Sequence, residues 1–564
     1  MKNEQKNLIL AIALSALILG GFELFFKPQI TADQRAYLQQ RQAQAVVAET
    51  KIETRSIYAR PTAVAESKRV PVVNDRLRGS INLTGGQIDD LTLTTYRETV
   101  DPNSAPITLL SPANTKDGYY AEFGWVGGKN LVLPDDKTQW QAVGRELTQS
   151  EPMVLRYDNG QGLAFEKVYE LSDHYGFTIT QTLRNTSSQP ITVTPYALIG
   201  RFHEHHQKDF FILHEGPLGV FNGVLEERRY NDLVEEGPQS FDSKGGWIGI
   251  TDKYWLAAIA PKGEAAIKAR MAYSKPQQSD RYQVDYTYQP ITIQPGDTYS
   301  VSNYFYGGAK EVKLLDRVES EWGIPRFDLA VDFGWFYFLT KPIFNLLHYL
   351  YTLLGNFGVA ILMLTVIVKA IMFPLANKSY RTMNKMKDLQ PQLLEMREKY
   401  GKDVLRMQKE MAAFYQKNKL NPLSGCLPIF IQIPVFFSLY KVLFVTIEMR
   451  HQPFFGWIAD LSAADPTNVL NLFGLLPWTL PGFLAFLHVG AWPIIMGFTM
   501  WLQMRLNPAP TDPAQKIVFG LFPYIFTFLL ASFPAGLVIY WSWSNLLGIL
   551  QQYALKREGK KAAA

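Results

Sequence analysis

The residues most suggestive of covalent chemistry are His203-Glu204-His205-His206, with His214 downstream. A metalloprotease helix needs H-E-x-x-H, so that both imidazoles share one helical face. The closing position here is Gln207, and the motif fails. His205, His214 and a carboxylate could still converge on a metal; the other reading is an exposed polar loop. The pairs Glu226-Glu227 and Glu235-Glu236 have the residue type of a glycoside hydrolase. Such carboxylates must face each other across about 5–9 Å, which adjacency in sequence does not supply. No G-x-S-x-G, P-loop or G-x-G-x-x-G is present. The one cysteine, Cys426, excludes an intrachain disulfide and any Cys-rich metal site.

A different chemistry is suggested by Lys369, in the apolar run Leu364-Thr365-Val366-Ile367-Val368-Lys369-Ala370-Ile371-Met372-Phe373. An ammonium at mid-bilayer costs about 2.5–3.5 kcal/mol on insertion scales. No acid lies in this or the other carboxy-terminal apolar segments, and Glu448 falls just outside one of them. Two readings stand. Lys369 snorkels, since the end of its span at Leu375 is about 9 Å away along the helix and a lysine stem reaches about 6 Å. Alternatively it faces a water-filled groove lined by Thr365, Gln432, Ser438, Gln503, Ser542, Ser544 and Asn545 from several helices. Such a groove would hold the polar end of an incoming chain part-way across a bilayer and lower its desolvation barrier. The driving force would be burial of client apolar surface plus the membrane potential.

The elements that must position these residues follow from patterning. The chain has 564 residues, 19% charged, 13% aromatic, with a net charge of +5. That charge is too weak to indicate nucleic acid by itself. Residues 1–27 read as an uncleaved signal anchor behind Lys2 and Lys6, and 28–69 as a linker. From 70 to 320 short alternating runs such as Gly176–Leu183 predict a large all-β sandwich. Residues 321–356 predict an interfacial amphipathic helix with Pro342 in its first turn, a spanning helix being the alternative. Spans are predicted at 357–376, 422–447, 490–506, 517–534 and 535–555, making six with the anchor. The apolar stretch 469–489 carries Pro477 and Pro481 and is read as part of an outer loop, 448–489. A seventh span would put the basic tail 556–564, with Lys556, Arg557, Lys560 and Lys561, on the wrong side.

The loop 377–421 carries an excess of six positive charges, and 507–516 is a short second loop on the same, cytoplasmic side. Met386, Leu389, Leu393, Met396 and Tyr400, then Leu405, Gln408, Met411 and Tyr415 after a break at Gly401, lie along its apolar stripe, which predicts a two-helix hairpin, and Met407 is a further hairpin candidate. The stripe serves either as the hairpin's own core or as a docking face for varied apolar partners.

Asn421-Pro422-Leu423-Ser424-Gly425-Cys426-Leu427-Pro428, then Ile431-Gln432-Ile433-Pro434-Val435-Phe436, resemble the third-span signature of the YidC membrane protein insertases. Phe533-Pro534-Ala535-Gly536-Leu537-Val538-Ile539-Tyr540-Trp541 with Ser544-Asn545-Leu546 resembles their last span, and Pro508–Pro513 their second cytoplasmic loop. The resemblance implies a polytopic α-helical inner-membrane protein, both termini cytoplasmic, with a periplasmic β-supersandwich. It implies an insertase and chaperone without covalent chemistry, nucleotide hydrolysis or cofactor. Its partners would be nascent membrane proteins, the Sec translocon, the ribosome and membrane lipids, without nucleic-acid sequence recognition. Lys369 takes the place of the family's groove cation, Thr365, Tyr540 and Trp541 its client contacts, and 556–561 a ribosome or lipid contact. Many relatives carry Arg where Lys369 stands, and Lys lacks the bidentate fork. The stretch 469–489 looks like an insertion relative to some of them.

Overall fold

The computed structural model describes residues 57–202, 213–276, 279–400, 403–418, 427–476, 488–506 and 513–563. The anchor and most of the linker lie outside these residues, as does His203-Glu204-His205-His206.

Two antiparallel sheets account for residues 69–309. In chain order the strands are β1 (Arg69–Val73), β2 (Leu77–Asn82), β3 (Gln87–Arg97), β4 (Pro106–Leu110), β5 (Tyr119–Gly127), β6 (Gln141–Val143), β7 (Met153–Asp158), β8 (Leu163–Leu171), β9 (Gly176–Asn185), β10 (Ile191–Phe202), β11 (Gly216–Phe221), β12 (Val224–Glu227), β13 (Gln239–Lys244), β14 (Trp247–Thr251), β15 (Trp255–Pro261), β16 (Ala266–Ser274), β17 (Arg281–Tyr288), β18 (Ile291–Ile293) and β19 (Thr298–Ala309). One sheet runs β1-β2-β3-β5-β10-β17-β16-β13, with β4 on β3 and β18 on β10. The other runs β12-β11-β14-β15-β19-β9-β8-β7-β6. Along β8 every second residue from Leu163 to Leu171 is buried, the period of a strand with one face on a core. Between the sheets lies a satisfied polar bridge. Tyr286 and Tyr288 hydroxyls donate to Asn303 Oδ1 at 2.7 and 2.8 Å, and Asn303 donates to Gln181 Oε1 at 2.9 Å. A register slip of either sheet would orphan all four groups.

A short helix precedes the first strand and packs on the sheet. This is helix α1 (Arg60–Ala65), with Arg60 paired to Asp90, so the carboxy end of 28–69 is helical and tied to the sheet. Asp90 also accepts from Ser80 Oγ at 2.6 Å, which fixes this ion pair on the sheet. Beyond α2 (Tyr230–Glu236), helix α3 (Val312–Trp322) closes the domain by stacking Trp322 on Tyr304, centroids 4.5 Å apart.

The helical part contains α4 (Tyr337–Leu354), α5 (Phe357–Asp388), α6 (Gln390–Tyr400), α7 (Val404–Lys417), α8 (Leu427–Val445), α9 (Ala491–Leu506), α10 (Pro513–Leu530) and α11 (Ala535–Ala563). Three boundaries correct the sequence reading. Pro342 is the sixth residue of α4, not in its first turn, because the chain already turns at Phe336, whose carbonyl accepts from Thr340 N and Oγ1. Helix α5 does not end at 376; it passes through Pro374 to Asp388, so the first part of the expected hairpin continues the apolar helix. Helix α11 runs to Ala563, so the basic end is helical and not a separate tail. Helix α4 buries Thr340, Ile343, Phe344, Leu347 and Leu350 on one face and exposes Phe338, Tyr349 and Leu353 on the other. Among the described residues one stretch, Phe357–Thr382, is long and apolar enough to cross a membrane; 432–445 and 517–530 are shorter apolar helical segments.

The sheets and the helices meet at the end of α8. Lys441 Nζ reaches Asp332 Oδ2 at 2.7 Å, and Lys253 Nζ sits 3.8 Å above the Phe444 ring. Arg450 Nη2 donates to the Arg97 and Glu98 carbonyls at 2.6 and 3.1 Å, and its guanidinium lies 5.5 Å from the Trp255 ring. Glu448 Oε1 accepts from Val312 N at 2.9 Å, supplying the first turn of α3 with an acid from another element. Its Oε2 is buried without a partner among the described residues.

Burial pushes the Glu448 carboxyl up from 4.5 to about 7, with Glu311 adding to the rise and Lys313 opposing it. The folded value lies above the unfolded one. The stabilisation is therefore full below the unfolded value and is lost as pH rises through about 7. Thermal melts followed by tryptophan fluorescence should show higher stability at pH 6 than at pH 8, by roughly 1–2 kcal/mol. Glu448→Gln should flatten that difference; an unchanged pH profile in the variant would refute the assignment.

Candidate functional site

Helix α11 is the element that gathers the candidate polar residues. Gln432 Nε2 of α8 donates to the Tyr540 hydroxyl at 3.0 Å. Asn545 Nδ2 donates to Thr499 Oγ1 of α9 at 3.2 Å. Gln503 of α9 lies over Gly548, where a Cβ would come within 2.8 Å of its Nε2. Trp541 packs between Phe436 of α8 and Phe526 of α10, with ring centroids 4.7 and 5.5 Å away. Tyr540, Trp541, Gln432, Gln503 and Asn545 are thus joined pairwise or packed across three helix contacts. Small residues make this possible: Gly548 lets α9 approach α11, and Gly497 meets Thr527 of α10.

Other candidates serve their own helices. Thr365 Oγ1 donates to the Ile361 carbonyl at 2.7 Å, and Ser542 Oγ to the Val538 carbonyl at 2.8 Å, the i−4 back-bond of mid-helix hydroxyls. Both are buried, as are Ser438 and Ser544. The Ser438 hydroxyl makes no hydrogen bond among the described residues. Lys369 is half-buried on α5, one turn beyond Thr365, and no ion pair among the described residues reaches it. No described bond joins Lys369 to the Tyr540 or Asn545 pairs.

Residues 401–402 and 419–426, including Gly401 and Cys426, lie outside the described residues. Helices α6 and α7 pack on one another, and Met386, Met396, Tyr400, Met407 and Met411 are each half-buried. Tyr400 lies beside the Arg406 guanidinium, 5.3 Å from ring centroid to carbon. The stripe is therefore shared between contact and exposure. Arg557 is exposed; the side chains of Lys556, Lys560 and Lys561 lie outside the described residues. His214 is taken up internally, its Nε2 donating to the Pro217 carbonyl at 3.1 Å, and burial lowers its imidazole to about 4. Among the described residues no group of three His, Cys, Asp or Glu side chains could hold a metal.

Sequence reasoning missed what orients α9. Asp465 Oδ2 accepts from Trp492 N at 2.8 Å, while Oδ1 accepts from Trp457 Nε1, Thr467 N and Thr467 Oγ1. Thr467 Oγ1 in turn accepts from Ala491 N at 2.9 Å. The run Asp465-Pro466-Thr467-Asn468 was the available signal, since such residues cap helices and turns. Asp465→Ala should lose roughly 2–3 kcal/mol by orphaning these donors, with Asp465→Asn recovering part of it, read as a shift in melting temperature.

Residues 69–346 match the YidC periplasmic domain family, and residues 349–562 match the 60Kd inner membrane protein family. Along its whole length the chain is 48% identical to the membrane protein insertase YidC of Nitrobacter hamburgensis, covering 96% of that protein. It is 45% identical to the YidC of Bradyrhizobium diazoefficiens, covering 100% of this chain and 97% of that one. This chain belongs to the YidC family. The two sheets therefore belong to the periplasmic domain of an inner-membrane YidC, and the helices from α5 onward lie in the part that matches the 60Kd inner membrane protein family. A solved structure titled as an active YidC insertase with its first transmembrane domain resolved covers 86% of this chain and 93% of its own, at 17% identity and a TM-score of 0.35.

Proposed function

We propose that this YidC inserts membrane proteins into the inner membrane through a polar, cationic groove formed by α5, α8, α9 and α11. The full-length match to insertases carries the activity. The groove reading is supported by the set of polar side chains on α8, α9 and α11 together with a lysine on α5 that has no carboxylate partner among the described residues. No step makes or breaks a covalent bond. The client's apolar segment leaves water for lipid, and its polar end is held by Lys369, Gln432, Tyr540 and Asn545 on the way. Thr365 and Trp541 provide the adjoining wall. The half-buried methionines of α6 and α7 receive the client on the cytoplasmic side, beside Sec or directly from a ribosome. In this topology α5, α8, α9, α10 and α11 are spans, and both termini are cytoplasmic.

The test is reconstitution. Purified full-length protein in liposomes is given a small client with one span, and protection of its exported tail from protease is scored. Protection well above that of empty liposomes is expected. Equal protection in both would sink the proposal.

A further inference from the structure

The cytoplasmic end of α5 carries a second polar feature that the groove does not use. A cavity of about 450 Å³ is lined by Pro374, Asn377, Lys378, Arg381, Thr382 and Lys385. Their spacing of three and four puts them on one face of the helix. Lys378, Arg381 and Lys385 are exposed. At the other end of the helical part, Lys341 and Lys441 are each tied to aspartates within 2.8 Å. No such ion pair holds Lys378, Arg381 or Lys385 among the described residues. Asn377 Oδ1 accepts from Gln551 Nε2 at 2.8 Å, so α11 braces the site from behind. Immediately before the cavity, Ile371 is 73% exposed and Phe373 49% exposed.

We propose that this cavity binds the phosphate headgroup of an anionic phospholipid, with an acyl chain along Ile371 and Phe373. The inference rests on reading α5 as a span whose carboxy-terminal end is cytoplasmic. Three cations within two turns, none in an ion pair among the described residues, supply the charge; Asn377 Nδ2 is the uncharged donor beside them, since the Thr382 hydroxyl donates to the Lys378 carbonyl at 3.0 Å. The volume suits a headgroup, at the low end of ordinary ligand pockets. The apolar strip directly below selects a ligand that is charged at one end and hydrocarbon at the other. A nucleic acid has no use for that strip. Basic pockets at the cytoplasmic side of spans attract acidic lipid at roughly fivefold in affinity per Lys or Arg.

The experiment titrates phosphatidylglycerol into full-length protein in neutral detergent and counts bound lipid by native mass spectrometry. Phosphatidylcholine and inorganic phosphate are run in parallel. One tight phosphatidylglycerol is expected, weakened about a hundredfold in a variant with Lys378→Gln, Arg381→Gln and Lys385→Gln. A variant with Lys378→Arg and Lys385→Arg should retain it, which separates loss of charge from misfolding. Equal retention of phosphatidylcholine, full displacement by millimolar phosphate, or an unaffected triple variant would each overturn the proposal. If the triple variant keeps its lipid but no longer binds ribosomes, the face serves RNA and the lipid assignment falls. Topology is read separately, by labelling Lys385→Cys in a Cys426→Ser background with an impermeant maleimide. Labelling from the periplasmic side would refute the assigned orientation, whatever the lipid result. Labelling from the cytoplasmic side with no lipid loss would refute the headgroup site alone.

Discussion

Lys369→Ala should reduce insertion of a client with an acidic exported tail at least tenfold, while Lys369→Arg restores it. The half-buried lysine has no carboxylate partner among the described residues, so its field is available to a passing anion. A pair of unit charges about 4 Å apart is worth up to about 4 kcal/mol in surroundings of intermediate polarity. Even a third of that attraction changes a rate about tenfold. Lys369→Glu should be worse than alanine for this client, because attraction becomes repulsion. A client with a neutral tail should lose far less in each variant. The readout is the protected fraction of tail in liposomes at matched protein density. Equal protection for wild type and alanine with the acidic client would mean that Lys369 merely snorkels and that hydration of the groove carries the function.

A large loss of stability is expected in the periplasmic domain, at Gly246. This residue lies at the corner where the chain leaves β13 in one sheet for β14 in the other. Its φ is +92°, and an added Cβ would sit 2.1 Å from the Val220 carbonyl oxygen. Val220 is paired with Trp247, so the overlap cannot be relieved without opening β11 from β14. Trp247 is fully buried against Phe327, ring centroids 5.2 Å apart, and would move with it. Gly246→Ala should therefore cost roughly 3–5 kcal/mol, strain and overlap together. Limited proteolysis of the full-length protein should show cleavage between 57 and 309 at a temperature where wild type resists. Insertion should survive in the same preparation, because the proposed groove residues all belong to the helical part. Insertion falling in step with proteolysis would place the periplasmic domain in the machinery itself.

The two-sheet domain was legible in the sequence because strand burial repeats every second residue. Gly176–Leu183 shows this alternation in sequence and sits in β9. The two sheets' pairing order was not legible, since β10 joins β5 and β17, from distant parts of the chain. Among the helices, apolar runs marked α5, α8, α9, α10 and α11, but Pro374 and the change in composition after Leu375 hid the continuity of α5. Backbone hydrogen bonding outweighs both where the flanking residues are good helix formers. Among the candidates, residue type singled out Gln432 and Asn545, and the family resemblance Tyr540, while their cross-helix partners depend on packing. Thr499 was overlooked for that reason. The junction was invisible: Arg450 meets the Arg97 carbonyl 353 residues away, and no local pattern encodes such a contact.

The continuity of α5 has a mechanical consequence. Thirty-two residues in one helix form a rod of about 48 Å. Lys369 sits on that rod, and α6 and α7 follow it at one end. Proline at 374 removes one backbone hydrogen bond and crowds the Ala370 carbonyl, leaving a single compliant joint five residues past the lysine. A load applied to α6 and α7 by an arriving chain would be taken up at this joint as a change of tilt. If the proposed function holds, the turn that carries Lys369 would keep its azimuth, and a client could pull on α6 and α7 without turning the charge away from its path.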